Sequence, residues 1–176
     1  MGKRRAARER ERAREFEMFV AGASGRLLHT AQLLTSEPPT GAPAAERLLV
    51  TALARTYARW EALHGEDPYE TARQELISRF AHRAWRHRRS QGGLLGRLTP
   101  QERLVLVLRL YEGVAEEQTA AALGLPPDRV HALLLGAMSA LLSRPRQIVG
   151  ARAGAGDPVG PGDPVGPVGP VGGAVT

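Results

Sequence analysis

Five arginines, Arg79, Arg83, Arg86, Arg88 and Arg89, lie between positions 79 and 89 with no acidic residue among them. His82, His87 and Trp85 share the same stretch. A guanidinium offers planar, paired donors that match phosphate oxygens, and an aromatic ring beside it can stack on an unpaired base. A helix end facing solvent accounts for one or two cations through the helix dipole. Five without a single acid exceed that need, so this stretch is read as a nucleic-acid contact. Trp85 reads equally well as a stacking residue and as core. His82 and His87 are five apart and flanked by Arg, which repels a cation, so no metal site is expected.

A second basic segment opens the chain. Residues 1–14 hold Lys3, Arg4, Arg5, Arg8, Arg10, Arg12 and Arg14 against Glu9 and Glu11, a net +5. Arg and Glu alternate there ("RERERARE"), so a solvated helical extension and a polyanion-binding arm stand level. Positions 79 to 89 carry another +5, so with a total of +6 the remainder of the chain sums to −4. Positive charge is therefore concentrated rather than general, which favours a polyanionic partner.

Other classes are excluded or unsupported. The chain has 176 residues and no cysteine, so disulfides and thiolate metal sites are ruled out. No apolar run is long enough to span a membrane, and the charged N-terminus lacks the apolar segment of a signal peptide. A cytoplasmic location is the expectation. No nucleophile–base pair, carboxylate cleft or phosphate loop is present, so neither enzymatic activity nor a cofactor is expected.

Helices must position these residues. "SEPPTGAP" (Ser36 to Pro43), "GEDP" (Gly65 to Pro68) and "QGGLLG" (Gln91 to Gly96) break the chain. Apolar residues recur at helical spacing between the breaks. One stripe is Phe16, Phe19, Val20, Ala23, Leu27, Ala31 and Leu34. A second is Ala45, Leu48, Leu49, Ala52, Thr56, Tyr57, Trp60 and Leu63. A third is Tyr69, Ala72, Leu76, Ile77, Phe80, Ala84 and Trp85. No segment alternates with period two, so no sheet is expected.

In "LTPQERLVLVLRLYEG", Thr99 is placed to cap a helix, Pro100 suits its first position and Glu102 completes a capping box. Glu112-Gly113 ends that helix. Ala115 to Leu123, a Gly124-Leu125-Pro126 corner, and Pro127 to Leu142 then make a helix-turn-helix. From Gly150 the G-D-P-V-G and G-P-V units read as a disordered tail.

Three helices with a basic end, a short linker and a terminal helix-turn-helix form a specific order. It resembles the extracytoplasmic-function sigma factors of bacterial RNA polymerase, of the actinobacterial kind. The resemblance rests on "FEMFVAGASGRLLHTAQLLT" (Phe16 to Thr35), "AERLLVTALARTYARW" (Ala45 to Trp60), "RFAHRAWRHRR" (Arg79 to Arg89) and "LTPQERLVLVLRLYEGVAEEQTAAALGL" (Leu98 to Leu125). It implies an all-α fold of two small helical domains. A sigma region 2-like bundle (15–90) follows the extension (1–14). A Gly-rich linker (91–98) then leads to a region 4-like helix-turn-helix domain (99–145), and the tail covers 146–176. The resemblance further implies core RNA polymerase and promoter DNA as partners, with an anti-sigma factor as a further one. Glu46, Arg47, Leu49, Val50 and Leu53 would meet the polymerase. Arg79, His82, Arg83, Trp85, Arg86, Arg88 and Arg89 would engage the −10 element, and Arg129 and His131 the −35 element.

Three departures qualify what the resemblance implies. Where the polymerase-docking helix of the family has Asp and Gln, this chain has Arg47 and Val50, and Arg47 inverts a charge. Near the family's base-reading Asn stand Ser78 and Arg79. On the last helix, Val130, Leu134, Ala137 and Leu141 are expected to form the core stripe, which leaves Leu133 and Leu135 pointing elsewhere. Base reading needs paired donors and acceptors that Leu lacks. From Thr99 to Ser143, Arg103, Arg109 and Arg129 stand against Glu102, Glu112, Glu116, Glu117 and Asp128, a net −2. The expectation is therefore a sigma factor that grips nucleic acid at the end of its third helix. The alternative is a degenerate sigma-like regulator acting through protein contact.

Overall fold

A stripe such as Ala23, Leu27, Ala31 and Leu34 must be covered. In the computed structural model it lies on α1, Gly2–Thr35. The structure describes residues 2–63, 65–84 and 93–143. All of them belong to one compact unit, Met1–Arg144, and they contain helices and turns but no strand. The expected 146–176 tail lies outside the described residues.

At ~1.5 Å per residue α1 is about 50 Å long. Its buried residues, Ala23 to Thr35, all lie in the C-terminal half. The basic extension is the exposed N-terminal continuation of the same helix, not a separate element. Arg12 fastens it. The Arg12 Nη2 donates to the Tyr57 carbonyl at 2.6 Å, the guanidinium lies 4.3 Å from the Tyr57 ring centroid, and Nη1 is 3.5 Å from Glu61.

Helix α2 (Pro43–Ala58) begins with Pro43, whose missing N–H costs nothing in the first turn. Its free amides are met from a distance. Glu37, buried in the preceding loop, accepts from Ala44 N at 3.1 Å and Ala45 N at 2.8 Å. Helix α3 (Pro68–His82) is capped by Asp67, which accepts from Tyr69 N at 2.9 Å. Leu49 and Ala52 of α2 and Ala72, Leu76, Ile77 and Phe80 of α3 close over the α1 stripe. Trp60 sits at the edge of this bundle, its ring 5.1 Å from Phe16 and 5.4 Å from Phe19, while Nε1 donates to Glu15 at 3.3 Å.

Thr99 and Glu102 form the capping box that opens α4 (Pro100–Leu106). The helix then widens into a π turn, Val107–Tyr111, closed by Glu112 N donating to Val107 O at 3.0 Å. One wider turn keeps the apolar run helical yet lets it end at Gly113, whose φ is +70°. Leu104, Val107, Leu108 and Val114 join the core of the first three helices. Val105 faces the other way, into a smaller core with Ala120 of α5 (Glu116–Leu123) and Val130 and Leu133 of α6 (Pro127–Leu142). Helix α4 is thus shared between two cores.

The corner between α5 and α6 needs glycine. Gly124 adopts φ +63°, and Leu125 N reaches back to Ala120 O at 3.0 Å, closing the helix end. On α6 the buried stripe is Val130, Leu133 and Ala137. This corrects the expected Val130–Leu134–Ala137–Leu141 stripe. Leu134 and Leu141 are half-buried at its flanks, because spacing i, i+3, i+7 points more squarely at Val105 and Ala120.

Candidate nucleic-acid and polymerase interfaces

The end of α3 is where the charge was expected to gather. Arg79 and His82 occupy its last turn and Arg83 is its C-cap, with Arg83 N donating to Phe80 O at 3.0 Å. His82 and Arg83 are exposed, and Arg79 is half-buried. His82 Nδ1 lies 2.7 Å from the Ser78 carbonyl, an acceptor, so that nitrogen donates. Phe80, fully buried, anchors the turn from below. Basic residues at a helix C-terminus are favoured by its dipole, so cationic side chains can collect here without destabilising the helix. Trp85, Arg86, Arg88 and Arg89 lie outside the described residues.

On α2, Glu46, Arg47 and Val50 are exposed, and Val50 leaves 65% of its surface to solvent. Leu53 is half-buried against the core. Leu49 does not share the outer face: it is buried at 8% exposure, because i, i+4, i+7 spacing from Ala45 to Ala52 draws it inward. The expected polymerase-facing set therefore reduces to Glu46, Arg47, Val50 and the outer edge of Leu53.

The helix-turn-helix presents little positive charge. Arg103 is not on its surface at all. It is 1% exposed, with Nη1 donating to Leu34 O at 2.7 Å and Nη2 to Leu98 O at 3.2 Å. Burial pushes its pKa below the usual arginine value. Arg109 folds back onto the Val114 carbonyl. Arg129 is exposed near the start of α6, and His131 lies 3.4 Å from Glu116 Oε2. The outer face of α6 instead carries Leu135, Met138 and Leu142, exposed at 54%, 40% and 79%. Of the two leucines expected to point away from the core, Leu135 does and Leu133 does not.

The sequence reading missed one group of residues altogether. The Glu112 side chain is fully buried and accepts from Thr30 Oγ1 at 2.5 Å and from Tyr69 Oη at 3.1 and 3.2 Å. Arg26 lies 3.3 Å and Arg73 3.7 Å from its Oε2. These partners come from α1 and α3, 39 to 86 positions away in sequence. Burial and the neighbouring Glu112 carboxylate raise the Tyr69 pKa well above the ordinary tyrosine value. A helix-ending "EG" gives no hint of such distant partners.

The described residues thus form a helical bundle whose third helix ends in basic residues, followed by a Gly-cornered helix-turn-helix. Residues 94–143 match the sigma-70 region 4 family. Three relatives are each called RNA polymerase sigma-E factor. That of Streptomyces coelicolor is 30% identical over 152 residues, covering 72% of this chain and 84% of the relative. Those of Streptomyces avermitilis and Streptomyces antibioticus are 28% and 29% identical over similar spans. No solved structure matches the chain significantly. The chain belongs to the RNA polymerase sigma factors, of the extracytoplasmic-function type. Proteins of this family are initiation factors and not enzymes.

Proposed function

We propose that this chain binds core RNA polymerase through the outer face of α2 and directs it to promoter DNA through the basic end of α3. Glu46, Arg47 and Val50 form the docking face. Arg79, His82 and Arg83, with the arginines that follow in sequence, hold phosphates at the −10 element and support strand opening. The second module adds a weak −35 contact through Arg129 and His131. The protein acts in the cytoplasm, where polymerase and promoter are found.

The observation that carries this reading is the division of charge between the two modules. The end of α3 carries the half-buried Arg79 and the exposed His82 and Arg83, with further arginines following in sequence, whereas two of the three arginines between Thr99 and Ser143 are occupied within the fold. Phosphate neutralisation supplies most sequence-independent DNA affinity, so the module with free cations dominates binding. The exposed Leu135, Met138 and Leu142 face serves a protein partner, such as an anti-sigma factor, better than it serves a base edge.

The test is co-purification with core polymerase followed by run-off transcription. Retention of the chain and promoter-dependent transcripts are expected. Arg79→Glu/Arg83→Glu should keep polymerase retention and lose transcripts. Failure of polymerase to retain the wild-type chain would refute the proposal.

A further inference from the structure

Residues 1–14 hold seven of the 24 basic side chains, and the polymerase and promoter contacts above use none of them. Residues 2–15 form the start of α1, ahead of its first buried residue, Ala23. At ~1.5 Å per residue they extend about 21 Å. The base of this arm is clamped. Arg12 donates to the Tyr57 carbonyl and lies against the Tyr57 ring, Glu15 accepts from Trp60 Nε1, and the Phe16 ring is 4.8 Å from that of Tyr57. The clamp fixes the direction of the helix beyond it, so residues 2–11 present a preset surface, which binds with less ordering cost than a flexible one.

The arm sorts its charge by side. Arg12, Glu15, Phe16 and Phe19 mark the side of α1 that meets the segment from Tyr57 to Glu61. Arg4, Arg5 and Arg8 turn the same way and line a hollow with Glu9, Arg12 and Glu61, so cations and carboxylates mix there. Lys3, Arg10 and Arg14, at i, i+7 and i+11, fall within about 40° of one another on the opposite side. All three are exposed, and among the described residues none forms an ion pair with them. Glu9 and Glu11 lie about 80–120° round the helix from this stripe. Ala7, exposed between the three cations, is too short to keep a flat anionic surface away. The stripe runs about 16 Å, or roughly five base pairs at ~3.4 Å each. An acidic lipid surface would ask for large apolar residues beside the cations, and this side offers only alanine there. Leu27 of α1 and Phe80 of α3 share one core, so the arm is tied to the element that holds the promoter in the function proposed above.

We propose that the Lys3–Arg10–Arg14 side of α1 is a binding site for the phosphate backbone of duplex DNA, a second grip on the promoter beside the one made by the end of α3. The choice of duplex DNA as partner rests on the promoter reading above. Point cations on a helix neutralise phosphates without reading base edges, so the arm adds affinity and not sequence preference.

The test compares two charge-matched triple variants of the full chain, each bound to core polymerase, on promoter DNA. Lys3→Gln/Arg10→Gln/Arg14→Gln strips the outer side, and Arg4→Gln/Arg5→Gln/Arg8→Gln removes the same charge from the inner side. Glutamine is close to lysine and arginine in helix propensity, so far-UV helicity should stay as in the wild type. The outer triple should lower the log–log salt slope of promoter binding by about 2–3, at about 0.9 per lost phosphate contact, and weaken binding roughly tenfold or more at low salt. The inner triple should lower the slope by less than about 1. The three outer single variants, at about 0.9 each, give the same result one residue at a time. An unchanged slope in the outer triple would overturn the proposal. An equal fall in both triples would also overturn it, because net charge and not one side of the helix would then be responsible. Loss of polymerase retention in the outer triple alone would assign this side to a protein surface, and loss of binding to phosphatidylserine vesicles with the DNA slope unchanged would assign it to a membrane; either overturns it. Failure of polymerase to retain the wild-type chain would instead refute the proposed function, and the same two triples, measured as free chains on a random-sequence duplex, would then decide the arm by itself.

Discussion

Glu112 illustrates how far a single residue's role can lie from its sequence context. In the sequence it sits before a glycine and ends a helix, and it counts as one acid among five in its module. Its burial depends on α1 and α3, whose approach no local pattern encodes. Removing one partner of a buried charged cluster leaves the others unmet. Arg26 is half in water, which moderates the loss. Glu112→Ala should therefore destabilise the folded unit by about 2–4 kcal/mol, read as a lower urea midpoint. Tyr69 gives a pH signature. Its pKa is raised in the folded state, so the stability it contributes is complete below the unfolded value of 10.0 and falls as pH rises beyond it. Urea midpoints measured from pH 8 upward should drop past that value in the wild type and drop less in Tyr69→Phe. Equal curves would mean that the Tyr69 contact with Glu112 does not couple stability to pH.

At the scale of elements, the sequence was legible wherever a local rule decides the outcome. The Thr99–Glu102 capping box, Pro43, Pro68, Pro100 and Pro127 at helix starts and Gly124 at the corner all stand where their chemistry requires. The candidate site was legible in part. Arg79, His82 and Arg83 do stand at the end of α3, and Leu135 does face outward. Tertiary choices were not legible. Leu49 and Leu133 each had two faces available by periodicity, and packing partners chose. The π turn at Val107–Tyr111 has no sequence signal, because it reflects where α4 must end relative to two cores. The apolar outer face of α6 makes a direct prediction. Leu135→Arg/Leu142→Arg restores cations there, and each new phosphate contact should steepen the log–log salt slope of promoter binding by about 0.9. An unchanged slope would mean that α6 does not approach DNA. Gly124→Ala should cost about 1–2 kcal/mol, since a Cβ at positive φ is strained. Thermal unfolding reads that loss directly.

For the whole molecule, two properties follow from one arrangement. Charge is segregated, with cations at the α1 start and the α3 end and a net acidic second module. Packing is shared, with α4 serving both cores, so the described residues form one unit although the sequence reads as two domains. In the proposed function, the first property sets where DNA is held. Promoter affinity of the polymerase complex as a function of salt separates the modules most directly. Arg79→Glu/Arg83→Glu should weaken binding and lower the salt slope by about 2, whereas Arg129→Glu/His131→Ala should shift it by less than about 1. The reverse, with α3 variants binding as wild type and the α6 pair losing promoter affinity, would contradict the assignment of nucleic-acid grip to the end of α3.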